Sequence, residues 1–369
     1  MGKAIFLADS GHKPGEPGSV SYPLILRNIP KPVPKEGELL VQLKASALNH
    51  RDVFIRQRLN SGITFDVPIG SDGVGVVISV GSQDPASQEW VGRRVILNPG
   101  KGWDDAVEGP DNKEAYAVMG GTRHYRNGTF QEFIAIHERY VEVVPGYLTN
   151  AEAAALPLAG LTAWRALMTK SGMNNCRKGA VVLVTGIGGG VALMAMQFAV
   201  TRGADVYITS SSEEKIQHAI RMGAKGGVNY NAGNWEKSLL EMLSTERPYF
   251  DAVIDGAGGD SIERSVKLLK AGGVISLYGM TVSPKMIFPM QAVIKNIDVR
   301  GSTMGSRGEF YQMVEFVRAH RIRPVISKVL RASLDDIGAI DSLFNDMRSG
   351  KQFGKLVLEF CDDIEKSNM

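Results

Sequence analysis

Cysteine is nearly absent from this 369-residue chain, with Cys176 and Cys361 the whole supply. Two thiols exclude a disulfide framework and any zinc site built from four cysteines, and they fit a reducing compartment. An excess of one charge is also lacking. Lys and Arg number 42 against 39 Asp and Glu, a formal charge of +3, so nothing favours nucleic acid or an anionic membrane as the main partner. No run of about 18 apolar residues exists, so no membrane-spanning helix is expected. The opening MGKAIFLADSG lacks the basic-then-apolar plan of a secretory signal. Phe6 breaks the myristoylation pattern that Met-Gly would begin, and EKSNM at the other end is not a peroxisomal address. The expected location is cytoplasmic. What is present is an ordinary globular composition, 44% apolar and 22% charged, in a chain long enough for two domains with their own cores.

The first 145 residues are cut up by Pro and Gly. GHKPGEPGS (11–19) and IPKPVPKEG (29–37) cannot be regular elements. Between such breakers lie short β-like runs, LLVQLKA (39–45), GVGVVISV (73–80), RRVIL (93–97) and FQEFIAI (130–136), which predict a mostly antiparallel β-domain. Residues 98–128 read as a long polar insertion, functional or mobile by its length. From about residue 150 the texture changes. AEAAALPLAGLTAWRALM is helical in composition, and strands then alternate with helices: AVVLVT (180–185), DVYITS (205–210), VNY, FDAVID (250–255) and VISLYG (274–279), with IERSVKLLK a helix between the last two. Continuous apolar strands alternating with helices predict a parallel sheet covered on both faces. FGKLVLEF (353–360) is expected to return to the first domain.

VLVTGIGGGVALMAM joins a strand to a helix through Gly186, Gly188, Gly189 and Gly190. Glycines in this context let the backbone approach a pyrophosphate while the helix N-terminus presents free N–H groups to it. The run departs from strict G-x-G-x-x-G, because Val191 stands three residues after Gly188; the small Ala192 could allow the close packing instead. A tight turn without ligand is the plainer alternative. The acid expected about 20 residues on, to hold a ribose 2′-hydroxyl, is missing. Asp205 starts the second strand at its far end, and Glu213 reads as a first-turn acid facing the helix dipole. The strand ends instead in Thr209, Ser210, Ser211 and Ser212, with Lys215 one turn into the helix. Hydroxyls and a lysine suit a 2′-phosphate, which favours NADPH over NADH; Lys215 could equally be a solvated surface lysine.

Taken in order, ALNHRD, GSDGVGVVISVG, GTFQEF, AALPLAGLTAWRAL, TGIGGGVA, SSSEEK, GAKGGVNY, FDAVIDGAGG and GSTMGSR resemble the medium-chain dehydrogenase/reductase superfamily over nearly the whole chain. The likeness is nearest to its zinc-independent branch of quinone oxidoreductase-like and enoyl-reductase-like enzymes. The resemblance implies an α/β protein: a GroES-like catalytic β-domain (1–153 and 321–369), a Rossmann doubly wound parallel-sheet domain (154–320), and a cleft between them for a nicotinamide cofactor. Matched residue by residue, it places Thr162 near the nicotinamide and Gly189, Gly190 and Val191 at the pyrophosphate. Ser210, Ser211, Lys215 and Tyr230 fall at the 2′-phosphate, and Tyr278, Gly279 and Met304 in the nicotinamide pocket. It also implies a homodimer formed by edge pairing of the Rossmann sheets. Tyr230 taken alone reads as a half-buried tyrosine at a strand end.

Zinc alcohol dehydrogenases of this superfamily carry Cys where this chain has Asn49, a His within Gly70-Ser71-Asp72, and a third ligand near Ala155. Asn, Ser and Ala cannot build a Cys/His zinc site, and the 98–128 insertion, where a structural zinc lobe would lie, has no cysteine. His50 has no second His at i+4 and reads as an exposed residue of a first helical turn. No functional metal is expected. Asn49 and Asp52 carry two compatible readings. One is helix capping of HRDVFIRQR, with Asn49 as N-cap and Asp52 three residues on; a cap alone would tolerate Asn49→Asp. The other is catalytic, an amide aimed at nicotinamide or substrate carbonyl. Relatives that reduce enoyl thioesters tend to carry a tyrosine proton donor where this chain has Asn60, which leaves the proton donor open. The reading that results is an NADPH-dependent oxidoreductase passing hydride to a quinone or α,β-unsaturated carbonyl small molecule. Its rivals are a zinc-type alcohol dehydrogenase-like enzyme and a non-catalytic NADPH-binding sensor. The physiological substrate depends on loops around 56–66 and 98–128 and is not legible.

Overall fold

A computed structural model describes residues 1–9, 16–111 and 116–361. Much of the Pro/Gly stretch from residue 11, and residues 112–115 of the insertion, lie outside the described residues. The chain forms two compact units, Met1–Leu158 with Ser306–Met369, and Ala159–Gly305. The expected boundaries, 153/154 and 320/321, put helix Arg307–His320 in the second unit. The helix instead packs with the first: the Tyr147 hydroxyl donates to the Val317 carbonyl at 2.6 Å, and Arg318 donates to the Val143 carbonyl at 2.8 Å.

The second unit is built on a six-stranded parallel sheet. Its order is Gly226–Asn229, Asp205–Ser210, Val181–Val184, Phe250–Asp255, Leu269–Leu277, Asp298–Gly301. VVLV and FDAVID are buried at every position, as strands covered on both faces must be. Helices Gly190–Thr201, Glu213–Arg221 and Ser261–Leu268 provide crossovers. The chain steps outward from Val181–Val184 through the next two strands, then returns to its other side with Phe250–Asp255. The strand order reverses there, and ligands of such sheets bind at the carboxyl ends beside that reversal. The expected helix 262–270 ends at Leu268, because Leu269 pairs with Phe250 in the sheet.

The first unit holds a seven-stranded sheet in which the end of the chain meets its beginning. Strand Lys355–Phe360 lies antiparallel to Glu38–Ala47, pairing Val357 with Ala47 and Leu358 with Ser46. On the other side of Glu38–Ala47 runs Asp72–Val80, with Asp72 opposite Ala47. Strand Phe133–His137 pairs with residues 38–42, so the two partners on that edge divide the length of the central strand between them. The core beneath contains Ile5, Leu48, Phe130, Phe344 and Leu358. The sheet is not wholly antiparallel, since Ile326–Ala332 runs parallel to Lys355–Phe360. The 98–128 insertion is not simply a solvated loop. Two short strands, Gly100–Lys101 and Ala117–Val118, pair within it, and Trp103, Met119 and Tyr125 are buried.

Candidate active site

Three buried polar side chains meet in the first unit, and the sheet register explains why. Asp72 stands opposite Ala47, Asn49 follows Ala47 by two residues, and Lys355 precedes its other partner Val357 by two. Side chains two apart on a strand share a face, so the three converge at one end of adjacent strands. Lys355 Nζ donates to Asn49 Oδ1 at 2.6 Å and to Asp72 Oδ2 at 2.8 Å. Asn49 Nδ2 donates to the same Asp72 oxygen at 2.9 Å. Asp72 Oδ1 accepts the Leu158 backbone N–H at 2.7 Å. Asp72 is fully buried, and Asn49 and Lys355 nearly so. Lys355 and Asp72 were not singled out by the sequence, where each reads as one polar residue at the end of a strand.

Asn49 occupies the N-cap of helix His50–Arg56 in an extended conformation and forms a capping box with Asp52 without a full side-chain cap hydrogen bond; its amide turns inward to Lys355 and Asp72. The cap is held from the other side, where Asp52 Oδ2 accepts the Asn49 backbone N–H at 2.8 Å. Asp52 Oδ1 is buried without a hydrogen-bond partner, with an Arg51 guanidinium nitrogen 3.7 Å away. Burial raises the Asp52 carboxyl to about 6, with Arg51 and the Asn49 N–H pulling against that rise. Arg51 anchors the helix by donating to the Met119 carbonyl at 2.6 Å. His50 is exposed, as expected of the first helical turn.

In the second unit the glycine run forms the strand-to-helix turn expected of it. Gly186 and Gly188 have φ of +63° and +135°, open to glycine at little cost. Thr209 of the next strand holds the turn, accepting the Gly186 N–H on its hydroxyl at 3.1 Å and the Ile187 N–H on its carbonyl at 2.7 Å. Helix Gly190–Thr201 begins with Gly189 as N-cap and no side chain over its N–H groups. A Cβ placed on Gly186 or Gly189 would meet nothing within 4 Å. A helix N-terminus without a capping side chain suits a pyrophosphate, the role the resemblance gives Gly188, Gly189, Gly190 and Val191.

Ser210, Ser211 and Tyr230 lie at the carboxyl ends of two adjacent strands, where the Tyr230 N–H donates to the Ser210 carbonyl at 2.9 Å, and Lys215 stands in the first turn of the helix that follows Ser212. Ser210 is buried, its hydroxyl turned to the Ile187 carbonyl at 3.3 Å, which leaves Ser211, Lys215 and Tyr230 as the accessible members. Ser212 caps helix Glu213–Arg221. Glu213 is engaged along that helix by Gln217 at 2.9 Å, in keeping with a first-turn acid. Desolvation lowers the Lys215 ammonium, opposed by neighbouring Glu214.

Thr162 and Met304 touch, Oγ1 to Sδ at 3.8 Å, and Met304 is buried with φ of +47°. A left-handed methionine costs about 1–3 kcal/mol, which the surrounding structure has to offset. Tyr278 and Gly279 follow strand Leu269–Leu277 directly. Desolvation, then the nearby Asp255 carboxylate, pushes the Tyr278 phenol up. A Cβ on Gly256 would lie 2.5 Å from the Tyr278 ring and hydroxyl. Asp255, also missed by the sequence reading, ties the loops at this end together: it accepts from Thr185, from the Gly258 N–H at 2.9 Å and from Ser261 at 2.9 Å.

The donors at Asn49, Ser71 and Ala155 do not fit a zinc ion. Ala155 has no donor atom, Asn49 Oδ1 already accepts from an ammonium, and the adjacent carboxylate is committed to that same ammonium. Tetrahedral zinc needs thiolate, imidazole or carboxylate ligands. Among the described residues no three His, Cys, Asp or Glu side chains gather to hold a metal.

Two outcomes follow from this geometry. The Asp52 carboxyl binds its proton more tightly in the fold than in the unfolded chain, so stability falls as pH rises from about 4 through about 6 and levels off above. Relative to Asp52→Asn, the parent should lose roughly 1–3 kcal/mol of unfolding free energy across that window; denaturant titrations at pH 4.5 and 7 that give parallel differences would contradict it. The cap reading made Asn49→Asp mild, but the substitution sets a new carboxylate against Asp72 with one ammonium between them. It should cost about 2 kcal/mol or more, and a variant melting at the parent temperature would refute that.

Comparison with known proteins agrees with the two-unit fold. Residues 35–146 match the alcohol dehydrogenase GroES-like domain family, and residues 190–319 match the zinc-binding dehydrogenase family. The chain is 50% identical to the zinc-type alcohol dehydrogenase-like protein YogA of Leptosphaeria maculans, over 94% of this chain and 97% of that protein. It is 30% identical to the 2-methylene-furan-3-one reductase of Solanum lycopersicum, over 92% of this chain and 76% of that protein. A crystal structure of an NAD-dependent alcohol dehydrogenase matches with a TM-score of 0.83 at 29% identity, covering 98% of this chain and 100% of that one. With a GroES-like unit, a Rossmann-type parallel sheet and relatives matched along nearly its full length, the chain belongs to the medium-chain dehydrogenase/reductase superfamily of nicotinamide-dependent oxidoreductases.

Proposed function

We propose that the protein is an NADPH-dependent oxidoreductase that delivers hydride to a quinone or an α,β-unsaturated carbonyl acceptor without zinc. The observation that carries this reading is the Lys355 ammonium held between Asn49 and Asp72, a cation supplied by the chain itself where the donors for a metal are wanting. The relative named 2-methylene-furan-3-one reductase supports it, since that name describes a carbonyl conjugated to a methylene. The names of the alcohol dehydrogenase relatives favour a second reading, zinc-dependent alcohol oxidation, which the side chains at 49, 71 and 155 oppose.

Bound NADPH supplies the hydride; the chain's residues bind, orient and polarise. The Gly186–Gly190 turn and the helix N-terminus receive the pyrophosphate. Ser211, Lys215 and Tyr230 receive the 2′-phosphate, and Thr162, Tyr278, Gly279 and Met304 frame the nicotinamide. Asn49 has one amide N–H to offer the acceptor oxygen as negative charge develops there. Asp52 holds a proton up to about pH 6 and takes the donor role that Asn60, standing where a tyrosine would serve, cannot fill. A chain with only two cysteines suits a cytosolic enzyme. The protein assembles as a homodimer in this reading. Edge strand Asp298–Gly301 and the exposed apolar side chains Val282, Ile287, Phe288, Met290 and Ile294 offer the surface for a second copy.

A panel of quinones and enones, followed by NADPH absorbance, should show turnover that a chelator leaves intact. Stoichiometric zinc with chelator-sensitive alcohol oxidation would install the second reading, and no turnover of either class would leave a binding protein. NADPH should bind more tightly than NADH. A charged hydrogen bond is worth about 1.5–3 kcal/mol, so Lys215→Ala should weaken NADPH alone by roughly one to two orders of magnitude; equal parent affinities for the two cofactors would defeat the assignment. Sedimentation should give a dimer that Ile287→Asp with Ile294→Asp splits, and a parent monomer at high protein concentration would exclude this assembly.

A further inference from the structure

We propose that Lys355 and Asp72 form a positioning pair that locks the Asn49 amide in one orientation, committing one edge of it and leaving a single N–H for the acceptor oxygen. The catalytic half of this inference rests on the hydride-transfer reading above; the lock itself does not.

An asparagine amide is nearly symmetric in shape, and its oxygen and nitrogen exchange places by a half turn about the last bond. Only its partners decide between the two. At Asn49 the partners leave no choice. An ammonium has donors alone, so Lys355 can meet only Oδ1, and an ionised carboxylate has acceptors alone, so Asp72 can meet only Nδ2. Both contacts are made, at 2.6 Å and 2.9 Å, and the ammonium closes the ring by bonding Asp72 at 2.8 Å. Asp72 cannot turn to release the amide, because its other oxygen holds the Leu158 N–H at 2.7 Å. The second Nδ2 hydrogen has no comparable partner: Ser71 Oγ lies 3.5 Å from the nitrogen, at the limit of a hydrogen bond. The flipped amide would oppose donor to donor and oxygen to carboxylate, so it is excluded. A buried ion pair gains little stability over apolar side chains of the same size. A purely structural role therefore explains the pair poorly, whereas orienting a donor needs opposite charges on the two sides of the amide.

Removing Lys355 alone would strand a buried carboxylate and could prevent folding. The test variant is therefore Lys355→Met with Asp72→Asn, which removes both charges together. It should lose about tenfold or more in kcat, a conservative share of what one oriented donor contributes, with NADPH affinity within about twofold of the parent. In an Asn49→Ala background the same two changes should cost less than about twofold, because no amide remains to orient. Lys355→Arg, which keeps the donors, should retain most of the rate. Losses that multiply independently in the two backgrounds, or a parent-like kcat, would overturn the proposal. The lock has its own readout. With asparagine labelled by nitrogen-15, the Asn49 side-chain hydrogens should exchange with solvent about tenfold faster in the neutral variant than in the parent. Unchanged exchange overturns the lock whether or not an acceptor is reduced. A locked amide in a protein that reduces no acceptor overturns the hydride-transfer reading and the catalytic half of the proposal with it.

Discussion

An ammonium cannot be carried into a protein interior unless its hydrogen bonds travel with it, and this constraint governs the first unit. Desolvating such an ion costs several kcal/mol even after relaxation. Lys355 meets the cost with one carboxylate and one amide, drawn from strand ends that lie far apart in the chain but side by side in the sheet. The arrangement tolerates no slip. Moving Lys355–Phe360 by one residue along Glu38–Ala47 would turn Lys355 to the opposite face, leaving Asp72 buried without its cation. It would also turn Leu356 and Leu358 out of the core they share with Leu48 and Phe344. Polar pairing and apolar packing thus demand the same register.

Much of the fold was legible because its signals are local. VVLV and FDAVID are buried throughout, as a strand covered on both faces must be, and helices Gly190–Thr201 and Glu213–Arg221 each end shortly before a glycine, Gly203 and Gly223. Where the reading departed from the structure, distant partners had decided the outcome. Leu269 belongs to a helical pattern by composition yet pairs with Phe250 as a strand. The 98–128 insertion looks polar, yet three of its large side chains are buried. Helix Arg307–His320 follows the Rossmann strands in sequence but is held to the first unit by Tyr147 and Arg318. Strand Ile326–Ala332 carries no alternation strong enough to announce itself.

The candidate site divides along the same line. The glycine turn was readable because its partners, Thr209 apart, lie within a few residues of it. Asn49 was readable as a residue of interest, but its immediate neighbours suggested a cap, and only the tertiary fold turns its amide inward. Lys355 was invisible: a lysine in a short strand reads as solvated, and its partners sit 306 and 283 positions away. Asp255 was quoted within a motif, but its bond to Thr185 spans 70 positions, beyond any local pattern.

The divided pairing along Glu38–Ala47 has a consequence in time. Strand Phe133–His137 covers residues 38–42 of that edge, while residues 45–47 wait for Lys355–Phe360. On the ribosome the wait lasts roughly 300 residues, on the order of tens of seconds at about 5–20 residues per second. The second unit, complete by Gly305, can finish folding in that interval. During it the open end of the central strand is the end that bears Asn49, and Asp72 beside it has no counter-ion. The newborn chain therefore carries its unfinished edge at the candidate active site, and the arrival of Lys355 closes the sheet and balances the charge in one event.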